Sequence, residues 1–545
     1  MAHALTLVSD KHTPMIISKE NLNPDFLHRS TGIFLFFLFL GNMVFAQFPN
    51  ILIGNTGGPE EPAIVINPKN PGQMVAGANI DLFYASGDGG LNWQQGTLSS
   101  TYGVYGDPCL VIDTAGNYYF FHLSNPSFGN WIDRIVCQKS TDGGLTWSDG
   151  TYMGLNGSKA QDKAWAAVDP QTNNIYVCWT QFDVYGTSNP ADSSLILFSR
   201  STDEGITWSP AKRINRVAGD CTDSDNTVEG AVPAVGPDGE IYVAWAGPAG
   251  IVFNRSTDHG ETWMDTNIFV SDIPGGWDYT IPNIYRTNGL PVTCCDLSQG
   301  PYRGNIYINW SDQRNGLTDT DIWFAKSADG GITWNSRKRV NDDPPGKQQF
   351  FTWMTVDQKT GYIYFVFYDR RAYSNSATDV YMAVSRNGGE TFQNFKVSES
   401  PFIPDPVIFF GDYTNITAYN NIVRPIWARL DNSQLSILTA IVDSLFTGTG
   451  QKPESYLSSS LDQNYPNPVK SFTCIAYKVR RPVRITLEVY DLIGRKIATL
   501  VDNKLSCPGR YVEYFDISRY GLEPGLYYYS LVDNEHSVRR KMIVE

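Results

Sequence analysis

The chain has 545 residues, of which 42% are hydrophobic and 13% are aromatic, and this length is too great for a single hydrophobic core. Many aromatic residues, with 48 Gly and 31 Pro, favour short strands and tight turns over helices. The net charge is -14, and residues 1–458 hold 29 basic and 46 acidic side chains, which argues against nucleic acid or an anionic membrane as a partner.

An apolar run at residues 33–45 is the first recognisable element. It is too short to span a bilayer comfortably. Arg29 precedes it, and small residues at Val44 and Ala46 suit cleavage after Ala46. The pattern predicts a signal peptide over residues 1–46 with an over-long N-terminal region, and a membrane anchor is the alternative.

An eight-residue motif of the form S-x-D-x-G-x-T-W, the Asp-box, occurs in six copies at spacings of 54 to 71 residues. Each spacing fits one propeller blade of four short strands. The acidic residue can accept hydrogen bonds from the turn backbone, and the Trp can pack between neighbouring strands or blades. We therefore expect a structural role, not a catalytic one, for its third position. That position is occupied by Asp88, Asp142, Asp203, Asp258, Asp329 and Asn387.

Apolar strands precede each motif. The second strands of four units are predicted over residues 175–179, 241–245, 306–310 and 363–367. A further unit without an Asp-box follows at 411–439 and lacks a fourth strand, which residues 50–55 could supply from the N-terminus. Such closure removes an exposed sheet edge. We therefore predict an all-β propeller over residues 47–443, with seven blades favoured; a six-bladed ring would leave 409–442 as an appendage or as part of the first blade.

After residue 443 the composition changes. Residues 444–460 have the composition of a linker. Alternating strands then predict a small Ig-like β-sandwich over residues 461–545. The predicted strands are 473–479, 483–490, 511–515, 525–532 and 538–544.

Four segments of this module resemble the C-terminal sorting domain of type IX secretion. They are Asn-Tyr-Pro-Asn-Pro at 464–468, Val-Tyr-Asp-Leu-Ile-Gly-Arg at 489–495, Pro-Gly-Leu-Tyr-Tyr at 524–528 and Arg-Lys-Met-Ile-Val at 540–544. The resemblance implies export through the periplasm and outer membrane, with the secretion machinery as a partner of residues 461–545. It also implies removal of this domain, followed by release or surface attachment, with no transmembrane segment in the mature chain. An accessory adhesion sandwich is the alternative.

The eight cysteines and six histidines show no metal-binding spacing, so no metal site or cofactor is predicted. Export permits disulfides, and Cys474 with Cys507 is the one pair that we expect; buried free thiols are the alternative. The acidic turn at 220–225 could hold Ca²⁺ through oxygen ligands, or it could be a solvated loop.

The propeller region, over roughly residues 50–443, resembles the sialidase-like Asp-box superfamily. In family sialidases an arginine triad holds the substrate carboxylate, a Tyr activated by a Glu is the nucleophile, and an Asp is the acid/base. The first arginine commonly lies in a Phe-Arg-Ile-Pro motif near the start. Residues 51–66 contain no Arg, and this departure argues against true sialidase activity.

One constellation of charged residues recurs at the ends of second strands. Trp-Ser-Asp-Gln-Arg at 310–314 and Phe-Tyr-Asp-Arg-Arg at 367–371 align Asp312 with Asp369 and Arg314 with Arg371. Paired carboxylates can perform acid–base work on glycosides, and arginine forks bind carboxylate or sulfate. The alternative is that each Asp pairs structurally with the Arg of its own blade.

Further candidates come from single positions. In the next unit Arg429 stands at the position of the aspartates and Asp431 at the position of the arginines. The positive and negative charges are therefore exchanged in this unit. Tyr413 is a weaker nucleophile candidate and Glu229 a weaker acid candidate. The catalytic candidates are therefore Asp312, Asp369, Tyr413 and Glu229, and the ligand-binding candidates are Arg314, Arg371 and Arg429.

Taken together, these patterns predict an exported surface or secreted propeller that binds extracellular glycan or protein on the face opposite the Asp-boxes. The alternative is a glycoside hydrolase related to exo-sialidases, and a structural role in a surface layer is a third hypothesis. The missing arginine motif favours the binding role.

Overall fold

The computed structural model describes residues 48–443, 459–479, 482–507, 509–533 and 537–545. The predicted signal peptide and most of the predicted linker lie outside these ranges. The described residues are all-β, with 38 strands and one four-residue 3-10 helix, Ile517–Tyr520. Across these ranges, no helix combines the length and the apolar character needed to cross a membrane.

Seven antiparallel sheets of four or five strands follow one another along residues 48–443. The chain starts with β1 (Asn50–Gly54). The first sheet contains β2 (Ala63–Ile66), β3 (Met74–Ala78), β4 (Leu82–Ser86) and β5 (Gln94–Thr97). The second contains β6 (Cys109–Ile112), β7 (Tyr118–Leu123), β8 (Ile135–Ser140) and β9 (Thr151–Met153). The third contains β10 (Ala160–Val168), β11 (Ile175–Phe182), β12 (Ser194–Ser201) and β13 (Lys212–Arg213). The fourth sheet is β14 (Glu229–Val235), β15 (Ile241–Gly247), β16 (Gly250–Ser256) and β17 (Ile268–Ser271).

A two-stranded hairpin, β18 (Asp278–Tyr279) and β19 (Thr287–Asn288), separates the fourth and fifth sheets. The fifth sheet contains β20 (Val292–Cys295), β21 (Ile306–Asp312), β22 (Asp321–Ser327) and β23 (Lys338–Arg339). The sixth contains β24 (Gln349–Val356), β25 (Ile363–Asp369), β26 (Asp379–Ser385) and β27 (Gln393–Lys396). The seventh contains β28 (Asn415–Tyr419), β29 (Ile422–Asp431), β30 (Gln434–Ala440) and β31 (Val442–Asp443).

The N-terminal strand completes the seventh sheet. β1 pairs antiparallel with β30, with Asn50 opposite Ala440 and Leu52 opposite Leu438. This is the pairing expected for residues 50–55. The first strands of neighbouring sheets also contact one another in the cyclic order β2, β6, β10, β14, β20, β24, β28 and back to β2. Contacts between first strands therefore run from each of these seven sheets to the next and from the last back to the first.

Four of the second strands are buried along their whole length. β11, β15, β21 and β25 begin at the residues predicted and extend two or three residues beyond the predicted ends. All of their side chains are buried. A strand that packs between two neighbouring sheets is buried on both faces, so its sequence is mostly apolar, and its polar residues lie mainly towards its end.

Each Asp-box forms the same hydrogen-bonded turn. In the second sheet, Asp142 Oδ1 accepts from Thr146 N at 3.0 Å and Asp142 Oδ2 accepts from Thr146 Oγ1 at 2.6 Å, while Ser140 Oγ donates to Asp142 Oδ1 at 2.8 Å. The motif aromatics of the second to sixth sheets pack against an aromatic of the preceding sheet, with ring centroids 5.0 to 5.9 Å apart. These motif aromatics therefore link the first six sheets in series.

The described residues after 458 form two antiparallel sheets. One contains β32 (Ser460–Leu461), β33 (Phe472–Val479) and β36 (Gly509–Asp516). The other contains β34 (Val483–Tyr490), β35 (Lys496–Ser506), β37 (Gly525–Val532) and β38 (Ser537–Val544). Both contribute to one hydrophobic core, which includes Ile475, Leu487, Phe515 and Tyr529.

The structure of this module adds one strand to those predicted and corrects one expectation. Strand β35 was not predicted, because its Asp-Asn-Lys segment lacks regular apolar alternation. All eight cysteines are free, so the expected Cys474–Cys507 disulfide is wrong. Cys474 lies opposite Tyr514 in one sheet, whereas Cys507 follows the end of β35 in the other sheet.

Candidate functional site

Left-handed residues mark the start of the first strands. Glu61, Asp107 and Lys163 have φ of 50°, 52° and 48°, and Gly230 and Gly411 have φ of 83° and 102°. In β10 and β14 the strand register shifts at these points. Such bulges re-aim side chains that would otherwise lie on a sheet face. Several charged side chains from different sheets consequently lie together near the starts of the first strands.

Lys163 is the centre of this group. Its Nζ lies 3.0 Å from Asp412 Oδ2, 3.3 Å from Asp107 Oδ2 and 3.5 Å from Glu61 Oε1. Its side chain is only 8% exposed. We refer to Lys163, Glu61, Asp107 and Asp412 as the lysine hub. The hub joins the third sheet to segments that lead into the first, second and seventh sheets, and it places three carboxyl groups around one ammonium.

A second cation reaches the hub from the β18–β19 hairpin. Arg286 Nε donates to Asp412 Oδ1 at 2.8 Å, and Arg286 Nη1 lies 3.8 Å from Asp223 Oδ2. The Arg286 guanidinium also lies over the Phe409 ring, 5.0 Å from its centroid. Burial by itself would raise the pKa of Asp412, but Lys163 and Arg286 outweigh it and hold that pKa well below its usual range.

The carboxyl groups around the hub differ in their pKa values, so some are protonated and others are ionised. Burial raises the pKa of Glu60 and that of Asp162 to about 8, and burial also raises the pKa values of Glu61 and Glu229 well above the usual range. Burial opposes ionisation of Asp107 too, yet Lys163 and the adjacent carboxyl groups lower its pKa. At neutral pH the site therefore holds protonated carboxyl groups beside ionised carboxylates.

A narrow cavity of about 30 Å³ lies beside the hub. Its charged lining consists of Lys163, Asp223, Glu229, Asp278, Arg286 and Asp412. Glu229 is 1% exposed, and its Oε1 atom has no hydrogen-bond partner among the described residues. The cavity thus presents an unsatisfied, buried carboxyl oxygen.

An exposed aromatic group adjoins this cavity. Tyr185 Oη donates to Asp223 Oδ2 at 2.6 Å. The Tyr185 and Trp131 rings are 5.4 Å apart, and the Trp131 and Tyr105 rings are 5.6 Å apart, both edge to face. Trp131 is 45% exposed and Tyr105 is 38% exposed. We call Tyr105, Trp131 and Tyr185 the aromatic surface.

The predicted aspartate–arginine pairs form ion pairs within single sheets. Arg314 Nε donates to Asp312 Oδ1 at 2.8 Å, and Arg371 Nε donates to Asp369 Oδ2 at 2.8 Å. Both aspartates are fully buried. Burial raises the pKa of Asp369 to about 6. This is the pairing that the structural alternative expects.

Arg429, the remaining arginine candidate, has a similar environment. Its guanidinium binds the neighbouring Asp431 carboxylate, with Nη2 3.1 Å from Oδ1. It also donates to the carbonyl oxygens of Ser400 and Pro401.

The two weaker candidates lie at the site just described. The Tyr413 ring centroid is 5.8 Å from Lys163 Nζ, and the ring packs against Trp165 and Trp353. Burial raises the pKa of Tyr413 well above its usual range, so the phenol is neutral. Glu229 lines the cavity, as stated above.

Sequence reasoning missed the lysine hub, Asp162 and Arg286. One signal was available, because an acidic residue beside Pro, Lys or Gly recurs at the start of first strands. The dipeptides are Glu-Pro at 61–62, Asp-Pro at 107–108, Asp-Lys at 162–163, Glu-Gly at 229–230 and Gly-Asp at 411–412. Arg286 has no such signal, because it lies in a hairpin between sheets. Among the described residues, no group of three or more His, Cys, Asp or Glu side chains is arranged to hold a metal ion.

Residues 463–545 match the family described as the secretion system C-terminal sorting domain. The chain is therefore exported by the type IX secretion system, to the cell surface or to the medium. No curated protein matches the chain.

Several solved structures are similar to this chain at low identity. The NanB sialidase of Streptococcus pneumoniae is 10% identical with a TM-score of 0.41, covering 68% of this chain and 83% of its own. An ulvan lyase is 13% identical with a TM-score of 0.45, covering 72% and 96%. An α-L-arabinofuranosidase of Fusarium graminearum is 11% identical with a TM-score of 0.40, covering 73% and 98%. Similarity at this level does not indicate what the chain binds.

Proposed function

We propose that this protein is an exported, seven-bladed Asp-box β-propeller, spanning residues 47–443, with an Ig-like sorting sandwich over 461–545. The cyclic contacts of seven first strands and the completion of the last sheet by β1 support the propeller. The two sheets with a shared core support the sandwich. Its function is to bind an extracellular glycan where the aromatic surface meets the cavity.

The observation that carries this proposal is the hydrogen bond from Tyr185 to Asp223. It joins exposed aromatic rings to a set of buried carboxyl groups. Sugars present apolar ring faces that pack on aromatic side chains, together with hydroxyl groups that need polar partners. A continuous surface that offers both is suited to an oligosaccharide.

The charge of the site indicates which glycans it excludes. Lys163 and Arg286 both bind Asp412, so neither offers a free cation to an acidic sugar. Additional carboxyl groups surround them. The site is therefore the electrostatic opposite of an arginine triad that binds a carboxylate, and we propose a neutral or cationic sugar as the ligand.

Glycoside hydrolysis is a second candidate function. It is favoured because the lining of the cavity includes a protonated and an ionised carboxyl group. Glu229 holds its proton while Asp412 is ionised in the same cavity. Environments that push two carboxyl pKa values apart provide a general acid and a base or nucleophile. In this reading Glu229 protonates the leaving oxygen, and Tyr413 is the nucleophile that bonds to the anomeric carbon. The phenol proton of Tyr413 passes to the ionised carboxylate of Asp412, the adjacent residue. We propose that the Asp312 and Asp369 ion pairs stabilise strand ends.

A binding and turnover panel tests both functions. The full exported chain is mixed with neutral, amino and anionic oligosaccharides, and heat and released reducing ends are measured. We expect binding that weakens at least tenfold in Trp131→Ala, since a stacked aromatic contributes about 1 kcal/mol or more beyond buried area. Hydrolysis, where present, should disappear in Glu229→Gln. Absence of binding to every class would refute the glycan proposal.

A further inference from the structure

Glu229 is the most unusual polar group of the cavity. Its carboxyl group is almost fully buried, and Oε1 has no hydrogen-bond partner among the described residues. Leaving a buried polar atom unpaired is costly, so such an atom requires a reason. The reason can be a ligand group that donates to it, because Oε1 belongs to a residue that lines the cavity.

The charges around Glu229 indicate the chemistry of that ligand group. Asp412 receives both nearby cations, Lys163 and Arg286. Asp223 has only a longer contact with Arg286, at 3.8 Å. Within the described residues, Glu229 and Asp278 form no ion pair with Lys, Arg or His, although both line the cavity. The cavity consequently has more carboxyl groups than cations.

The size of the cavity limits what can enter it. About 30 Å³ accommodates one or two groups of the size of water. A pyranose ring does not fit, whereas a single ammonium group does. An ammonium group carries three N–H donors and one positive charge, which match an unpaired carboxyl oxygen in an acidic surrounding.

We propose that the cavity takes the protonated primary amine of an amino sugar, so that the preferred glycan contains hexosamine units with a free ammonium group. This inference rests on the proposed glycan-binding function and names its ligand class. The ammonium donates to Glu229 Oε1 and lies near Asp223 and Asp278. Glu229 is protonated without a ligand, and it releases that proton to solvent when the cation enters, because a neighbouring positive charge favours the carboxylate. The sugar ring stays outside the cavity, and the next ring of the chain packs on Trp131. N-acetylation removes the charge and adds atoms for which the cavity has no room.

The test is titration calorimetry of the full exported chain with three tetramers. They are a glucosamine tetramer, its fully N-acetylated counterpart and a glucose tetramer, and a lysine-containing peptide is the non-sugar amine. We expect the glucosamine tetramer to bind at least tenfold more tightly than either other tetramer and than the peptide. Glu229→Gln should reduce this preference at least tenfold.

Two further variants serve as a second change at the cavity and as a control away from it. Asp278→Asn changes an exposed residue at the same cavity, so it should lower the preference for the amine in the same direction without loss of the fold. Asp238→Asn changes an exposed carboxylate in the turn between β14 and β15 and should leave every affinity unchanged.

Each remaining outcome identifies what has failed. Equal affinity for the three tetramers, unchanged in Glu229→Gln, would overturn the amine assignment and leave glycan binding intact. Binding of the peptide as tightly as the glucosamine tetramer would overturn the sugar as the source of the amine. Absence of binding to all three tetramers would overturn the proposed function together with this inference.

Discussion

Lys163 Nζ and Asp412 Oδ2 are 3.0 Å apart although 249 positions separate them in the sequence. The contact joins the third sheet to the segment that enters the seventh sheet. The same Asp412 also binds Arg286 at the edge of the cavity. The contact between these two sheets and the candidate site therefore share one ion pair, so loss of this ion pair is expected to disturb both.

Replacement of Lys163 by Met should unfold the protein at lower denaturant concentration. It leaves the carboxyl groups of Glu61, Asp107 and Asp412 buried without their shared cation, and such a loss costs about 3–5 kcal/mol. Urea unfolding measures the change. Lys139→Met is the matched control, because the partner Glu204 is 57% exposed and surface pairs contribute about 0–1 kcal/mol. Equal effects would contradict the central role of the hub.

The Asp-box turns should affect stability without affecting ligand affinity. Asp329→Ala removes the acceptor of Thr333 N at 3.0 Å and of Ile332 N at 3.0 Å, and we expect a loss of about 1–3 kcal/mol. Asp329→Asn should be milder, since the sixth motif already uses Asn387 Oδ1 to accept from Thr391 N. Thermal unfolding and calorimetric affinity are measured together. A large loss of affinity in a folded Asp329→Ala protein would argue against a structural role.

The buried carboxyl groups should make stability fall as pH rises. Asp162 and Glu60 have folded pKa values of about 8, whereas unfolded Asp and Glu titrate near ~4. Between these values the folded state binds more protons, so these groups contribute stability that is complete below about pH 4 and is lost as pH rises through 8. We expect the melting temperature to decrease from pH 5 to pH 8, with a shallower slope in Asp162→Asn. The exposed control Asp238→Asn should retain the original slope, and an unchanged slope in Asp162→Asn would count against the assignment.

Gly411 should be intolerant of a side chain. Its φ is +102°, and a Cβ at this position would lie 2.7 Å from the backbone nitrogen of Glu61 in the adjacent segment. Gly186 has φ of +76° but no atom within 4 Å of the same position. Gly186→Ala should therefore cost only the backbone strain, about 1 kcal/mol, and Gly411→Ala clearly more. Equal unfolding midpoints for the two variants would show that the close approach does not matter.

Deletion of residues 459–545 should stop export across the outer membrane, because these residues include the sorting domain. Cell fractionation should find the truncated chain in the periplasm and the full chain at the surface or in the medium. A deletion of similar size within residues 48–443 would remove strands of the folded sheets, so a point change, Asp238→Asn, serves as the control for normal delivery. Surface delivery of the truncated chain would contradict the sorting role.

Local sequence patterns determined much of this protein. The six Asp-boxes, the starts of β11, β15, β21 and β25, and strand β1 beside β30 could be predicted because each depends on a repeated local pattern or on the need to cover a sheet edge. The sorting domain was recognisable from short motifs. The paired aspartates and arginines were also recognised, but the sequence left open whether they bind each other or a ligand.

Only the tertiary structure decided where the charged residues meet. Glu61, Asp107, Lys163 and Asp412 are distant in sequence. Left-handed residues at the strand starts, together with the packing of first strands from neighbouring sheets, bring their side chains together. Arg286 reaches them from a hairpin between sheets, and Tyr185 connects the cavity to the aromatic surface. Burial then separates the pKa values of neighbouring carboxyl groups, because the cost of ionisation depends on the surrounding solvent and charges and not on the residue type.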